Sequence, residues 1–199
     1  MALFQRNTQA RAAPPAAGGT LADSSLPSEP WLFGKLPAHG DFLVRGVSGP
    51  LRDQLDDWLA AALARARARF SDDFDARYLA APAWLLIDRG GDGGWRGAAL
   101  CPSVDAVGRR FPLFLGIPAA GAGEAAVAAR HCLELAAAAI GSRWDAGRLD
   151  EALRQPVPAS PPPVDPREGW SIEGQDGSFL TEPGRFPEGL IERMLEIAG

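Results

Sequence analysis

Apolar residues recur every three or four positions between Leu51 and Phe70, which is the period of an α-helix with one buried face. Ser48 is a possible N-cap, and Pro50 suits a first helical turn. Acidic residues lie near the start of this segment and arginines near its end, as the helix dipole favours. The pattern therefore predicts a helix over residues 51–70.

Continuous apolar runs mark the predicted strands. Trp84–Asp88 is apolar almost throughout, which is typical of a strand buried on both faces. A loop with four glycines over residues 89–94 separates it from the next run and predicts a turn. The predicted strands are 84–88, 95–101, 111–117, 170–173 and 179–180.

Three further segments have helical patterns, at 124–140, 145–153 and 186–197. Gly141 is placed to end the first of them. Because helices and strands alternate along the chain, the sequence predicts a layered α/β domain with a mixed sheet.

The ends and one internal segment differ in composition from the rest. Residues 1–28 are rich in Ala, Pro, Gly, Ser and Thr without apolar periodicity, and we expect a disordered leader there. Residues 29–199 are expected to form a single α/β domain, since 199 residues suffice for one domain with a small appendage. Within it, residues 155–167 contain six prolines and predict a stiff, extended connector.

Composition narrows the function classes. The net charge of −5 argues against a general affinity for nucleic acid or anionic membrane. The most apolar stretch, 125–140, is interrupted by charged residues and is shorter than the ~20 residues that a membrane span needs. No secretory signal pattern opens the chain, and Cys101 and Cys132 fit neither a disulfide framework nor a metal signature. A cytoplasmic location without membrane insertion is therefore expected.

Two loops, 34–45 and 101–113, carry more charged, Gly and Pro residues than packing alone requires. Their candidate binding residues are Lys35, His39, Asp41, Arg45, Ser103, Asp105 and Arg109. A Ser-His-Asp hydrolase would need a nucleophile elbow, and Ser103 lies between Pro102 and Val104 instead. Turn capping and ion pairing by the aspartates are the more common roles for such residues.

Other chemistries have weaker support. His39 and His131 are the two histidines, and neither has a second ligand at a metal-binding spacing. The 90–94 glycines lack the Lys-Ser/Thr of a phosphate-binding loop, so no cofactor is expected. Arg109 and Arg110 could bind an anion or a phosphopeptide, although salt bridging within the loop is commoner.

The chain resembles the TagF (ImpM) family of type VI secretion system proteins in the order and spacing of four motifs. The first is G-K-L-P-x-x-G-D-F-h-x-R, where h is apolar, at Gly34–Arg45. It is followed by D-x-W-L at Asp56–Leu59 and Y-L-x-x-P-x-W at Tyr78–Trp84. The fourth is P-S-V-D-x-V-G-R-x-F-P-L at Pro102–Leu113. Resemblance covers about residues 31–195 and is looser towards the C-terminus.

The resemblance implies a three-layer α/β sandwich with a central mixed sheet and helices on both faces. It also implies a post-translational repressor of type VI secretion assembly that acts through a forkhead-associated scaffold protein, without enzymatic activity. No catalytic residues are established for the family, so none are transferred. The alternative is a small-anion or phosphopeptide binder, or an enzyme, with its site at the two motif loops. A third interpretation makes the motifs architectural, with Gly34, Gly40 and Gly108 supplying turns.

Overall fold

The computed structural model of the protein describes residues 25–160, 166–173 and 179–198. Seven strands in these ranges form one sheet with the order β2-β1-β5-β4-β3-β6-β7. Their bounds are β1 Trp31–Gly34, β2 Leu43–Arg45, β3 Trp84–Arg89, β4 Trp95–Cys101, β5 Leu113–Ala119, β6 Gly169–Glu173 and β7 Phe179–Glu182.

All neighbouring strands in this sheet are antiparallel. The predicted mixed sheet is therefore wrong, although the α/β class is confirmed. Alternation of helices and strands favoured parallel pairs, which need crossover connections. Here the long helix between β2 and β3 joins strands that are not neighbours, and β3 continues directly into β4 by the tight turn at 90–94.

The helices are α1 Gly49–Phe70, α2 Phe74–Ala80, α3 Ala122–Gly141, α4 Ala146–Leu153 and α5 Leu190–Ile197, with a 3₁₀ turn at Ser71–Asp73 between α1 and α2. The predicted helices 51–70, 124–140 and 145–153 are confirmed to within two residues at each end. The last helix begins at Leu190 rather than Phe186, because turns occupy the residues around Pro187. Neither α2 nor β2 was predicted, since both are too short to show a period.

One hydrophobic cluster joins α1, α2 and α5 to alternate residues of the strands, among them Trp31, Phe114 and Trp170. A second cluster joins α3 and α4 to the intervening strand residues, among them Leu113 and Leu115. Because successive side chains of a strand point to opposite faces, the sheet contributes to two cores at once. The predicted strand 111–117 runs two residues later, as β5.

The predicted leader and connector fall partly outside the described residues, at 1–24 and 161–165. Leu26, however, is 1% exposed and belongs to the first cluster. The buried Arg96 side chain also donates a hydrogen bond to the Pro27 carbonyl at 3.2 Å. Core packing therefore includes residues before position 29. Across the described residues, no helix combines the length and apolar character needed to cross a membrane.

Candidate functional site

The two motif loops meet at the end of β1. Gly34 pairs with Leu43 of β2 on one side and with Leu113 of β5 on the other. Its φ of +127° is a conformation that L side chains rarely adopt, and a Cβ there would lie 2.0 Å from the Pro112 carbonyl oxygen. Only glycine lets these segments approach so closely.

Asp105 is the centre of the contacts between the loops, and its side chain is fully buried. Its Oδ2 accepts from Lys35 Nζ at 2.9 Å and from Arg109 Nε at 2.5 Å. Its Oδ1 accepts the backbone N–H groups of Val107 at 3.1 Å and Arg109 at 2.9 Å. One carboxylate thus closes its own turn and ties that turn to the first motif loop.

These bonds determine the charge state of Asp105. Burial on its own favours the neutral acid. Hydrogen bonds from Lys35 and from the backbone and side chain of Arg109 outweigh it and hold the pKa of the carboxyl well below its usual range. Asp105 is therefore ionised at neutral pH, and its two oxygens are engaged by four hydrogen-bond donors.

Ser103 is buried and fully engaged in local bonds. Its hydroxyl donates to the Lys35 carbonyl at 2.7 Å. Its backbone N–H donates to the Tyr78 hydroxyl at 3.2 Å, and that hydroxyl donates to the Ser103 carbonyl at 3.1 Å. Burial raises the pKa of Tyr78 above its ordinary value, so this hydroxyl keeps its proton.

Tyr78 has a positioning role that sequence reasoning missed. It is the chain's single tyrosine, and a fully buried tyrosine hydroxyl needs a hydrogen-bond partner. This need for a partner is the sequence signal for the role of Tyr78, although the sequence does not show which group the partner is. We call Lys35, Tyr78, Ser103 and Asp105 the motif frame.

His39 is half-buried and packs against the start of α4. Its Nε2 accepts the backbone N–H of Ala146 at 2.8 Å, while its carbonyl accepts the N–H of Ala106 at 2.8 Å. Since Ser103 Oγ donates to a carbonyl and His39 Nε2 already accepts from a helix terminus, the two side chains do not form a nucleophile–base pair.

The remaining candidates lie at the surface. Asp41 is exposed, and its side chain forms no hydrogen bond or ion pair within the described parts of the chain. Arg45 is exposed and donates to the adjacent Val44 carbonyl at 2.8 Å. The Arg109 side chain is 64% exposed, although it contacts Asp105 and donates to the Gly40 carbonyl at 2.7 Å. The structure thus brings together Lys35, Ser103, Asp105 and Arg109, but it leaves Asp41 and Arg45 apart.

Several residues of the two loops are exposed, and we call three of them, Phe42, Val107 and Arg109, the loop tip. Val107 is 74% exposed and Phe42 37% exposed. Phe42 packs edge-on against Phe111, with ring centroids 4.9 Å apart. Sequence reasoning selected polar side chains and missed these apolar ones, because exposure of an apolar residue cannot be read from its type.

The turn glycines differ in importance. Gly108, at φ +85°, occupies a conformation that favours glycine, as Gly34 does. Gly40 has no such φ, and a Cβ there would meet open space. Of the three glycines proposed as turn elements, two are therefore required by the backbone.

The residues described contain no group of three His, Cys, Asp or Glu side chains placed to hold a metal ion. Cys101 and Cys132 are free and buried, and burial raises the pKa of the Cys101 thiol to about 12. Such thiols are poor nucleophiles at neutral pH.

A family description, TagF N-terminal domain, type VI secretion system-associated, matches residues 32–155. The chain belongs to the TagF family. This TagF protein is accordingly type VI secretion system-associated, as the resemblance predicted. The match spans both motif loops and ends before β6, β7 and α5.

The crystal structure of PA0076 from Pseudomonas aeruginosa PAO1 has a similar fold. The TM-score is 0.55 at 21% sequence identity, over 85% of the present chain and 78% of that one. At this identity the likeness concerns the fold alone. Comparison with curated proteins gives no match.

Proposed function

We propose that this TagF protein is a cytoplasmic, non-enzymatic negative regulator of type VI secretion system assembly, which binds a forkhead-associated scaffold protein through its motif loops. Membership of the TagF family supports the link to the secretion system. We further infer a three-layer arrangement, because the two hydrophobic clusters place α1, α2 and α5 with one set of strand side chains and α3 and α4 with the other.

The observation that carries a binding role over an enzymatic one is how the polar motif residues use their hydrogen bonds. Lys35, Ser103 and Asp105 bind to one another or to backbone groups of the two loops. A catalytic constellation would instead direct such groups into an open pocket. Here these groups fix the conformation of the two motif loops, whose end is exposed to solvent.

The mechanism we propose is sequestration. A bound regulator represses assembly if it prefers the state of the scaffold that cannot recruit the secretion machinery, since a ligand shifts an equilibrium only by its differential affinity. The protein needs no turnover for this role. Its effect should depend on its concentration relative to the scaffold.

Isothermal titration calorimetry of the purified protein with the purified scaffold tests the proposal. We expect a dissociation constant in the micromolar range or below. A parallel secretion assay should show higher effector release from cells that lack the protein, and repression when it is restored. Absence of heat at micromolar concentrations, with secretion unchanged by deletion, would refute scaffold sequestration.

A further inference from the structure

We propose that the loop tip is the docking surface and that it takes a protein surface with an apolar pocket bordered by a carboxylate. This inference rests on the proposed binding function and specifies where on the chain the partner docks.

Val107 has the highest exposure among the large apolar side chains that the described residues leave exposed, at 74%. It lies on the turn between Asp105 and Arg109, next to the 39–42 loop, because Ala106 N–H donates to the His39 carbonyl. Phe42, on the 39–42 loop, is a second exposed large apolar residue, at 37%. An apolar projection at the end of two joined loops suits a concave apolar pocket on a partner.

The tip is held rigidly although it is exposed. Asp105 Oδ1 accepts the N–H of Val107 itself, and the Arg109 guanidinium bridges Asp105 to the Gly40 carbonyl. Phe42 is fixed between Phe33 and Phe111, with ring centroids 4.8 and 4.9 Å away. Because ordering of loops on binding costs free energy, a preformed tip binds more tightly than a mobile one.

Charge at the tip defines the partner further. Two cations, Lys35 and Arg109, share the single carboxylate oxygen Oδ2 of Asp105. Lys35 is 14% exposed and Arg109 64% exposed, so the uncompensated positive charge faces solvent at Arg109. The exposed Arg109 guanidinium lies beside Val107 and complements a carboxylate next to an apolar pocket, whereas the exposed Asp41 of the other loop carries the opposite charge.

The test compares two exposed apolar residues that differ in position. Val107→Ser removes the projection of the tip, and Leu79→Ser removes a 63% exposed leucine of α2 as the matched control. We expect Val107→Ser to weaken scaffold binding at least about tenfold by calorimetry, and Leu79→Ser to change it by less than about twofold. Circular dichroism should show both variants folded, with melting temperatures within about 2 °C of wild type.

A second arm tests the charge. Arg109→Gln should weaken binding about three- to tenfold and reduce its dependence on salt between about 50 and 300 mM, because added salt screens an exposed charge pair. Asp105 keeps Lys35 and its backbone donors in this variant, so its melting temperature serves as the check on folding. A salt dependence equal to that of wild type would contradict a carboxylate opposite Arg109.

The outcomes separate this inference from the proposed function. If wild-type protein binds the scaffold and Val107→Ser binds equally well, the loop tip is wrong and the proposed function stands. If Leu79→Ser loses binding while Val107→Ser does not, α2 is the docking surface instead. If wild-type protein does not bind, the proposed function fails, and docking of the scaffold at the tip fails with it.

Discussion

The motif frame and the loop tip share the two motif loops, to which the frame adds Tyr78 of α2, yet they differ in burial and in bonding. Asp105 in the frame is fully buried and accepts four hydrogen bonds, whereas Asp41, from the first motif, is exposed and unpaired among the described residues. Two aspartates with equal standing in the sequence therefore have different consequences when replaced. Frame residues should affect stability, and tip residues should affect binding.

The largest effect is expected from Asp105→Ala. It leaves Lys35 without its buried partner and opens the 105–109 turn, so the melting temperature should fall by about 10 °C in a thermal unfolding experiment followed by circular dichroism. Asp41→Ala is the matched control and should change it by less than about 2 °C. Equal effects of the two substitutions would show that the buried bonds of Asp105 contribute no more to stability than an exposed aspartate does.

Acidification should weaken the stabilising bonds of the Asp105 carboxylate. Since the pKa of Asp105 is lower in the folded protein than in the unfolded chain, its charge stabilises the fold at pH values above about 3.9, the unfolded value, and this stabilisation is lost as pH falls further. The melting-temperature gap between wild type and Asp105→Asn should therefore be constant near neutrality and narrow below about pH 4. A gap that stays the same at pH 3 would show that the charge of Asp105 is unimportant.

A smaller effect is expected from Tyr78→Phe. The change removes one hydroxyl that both donates to and accepts from the backbone of Ser103, at a fully buried position. Stability in urea should fall by about 1–2 kcal/mol. Scaffold affinity per folded molecule should be unchanged, and a selective loss of affinity would show that the Tyr78 bonds shape the docking surface from beneath.

The smallest effect is expected from His39, which is bonded to Ala106 of the second loop and to Ala146 of α4. His39→Ala removes the acceptor for Ala146 N–H at the start of α4, and stability should fall by about 1 kcal/mol. His39→Gln can supply an acceptor and should recover part of that loss. If both variants are as stable as wild type, the contact with α4 contributes nothing measurable.

Prediction from sequence succeeded where local signals and burial agree. The apolar stripe from Leu51 defined α1, and the runs at 84–88 and 95–101 defined β3 and β4, because periodicity and length reflect the backbone itself. Strand direction could not be predicted, since β1 pairs with β5, whose residues are distant in sequence. Helix α2 and strand β2 are shorter than any reliable period.

The candidate site was predicted as a pair of loops but not as two regions. Residue type identified the polar members, including Lys35, Ser103 and Asp105. Burial of these residues depends on the pairing of β1 with β5. That pairing is a tertiary contact, which residue type does not reveal. The same dependence hid Val107, whose type suggests a core position although the turn at 105–109 projects it into solvent.

The sequence distance inside the motif frame has a consequence for biosynthesis. Lys35 and Asp105 are 70 residues apart, and β5, which aligns their loops, ends only at Ala119. Contacts between distant residues form late, because a long loop must close first. A ribosome-bound chain that has not yet exposed β5 therefore has its first motif loop but no partner for it. If these loops bind the scaffold together, as proposed, a chain whose β5 is still inside the ribosome lacks the assembled docking surface.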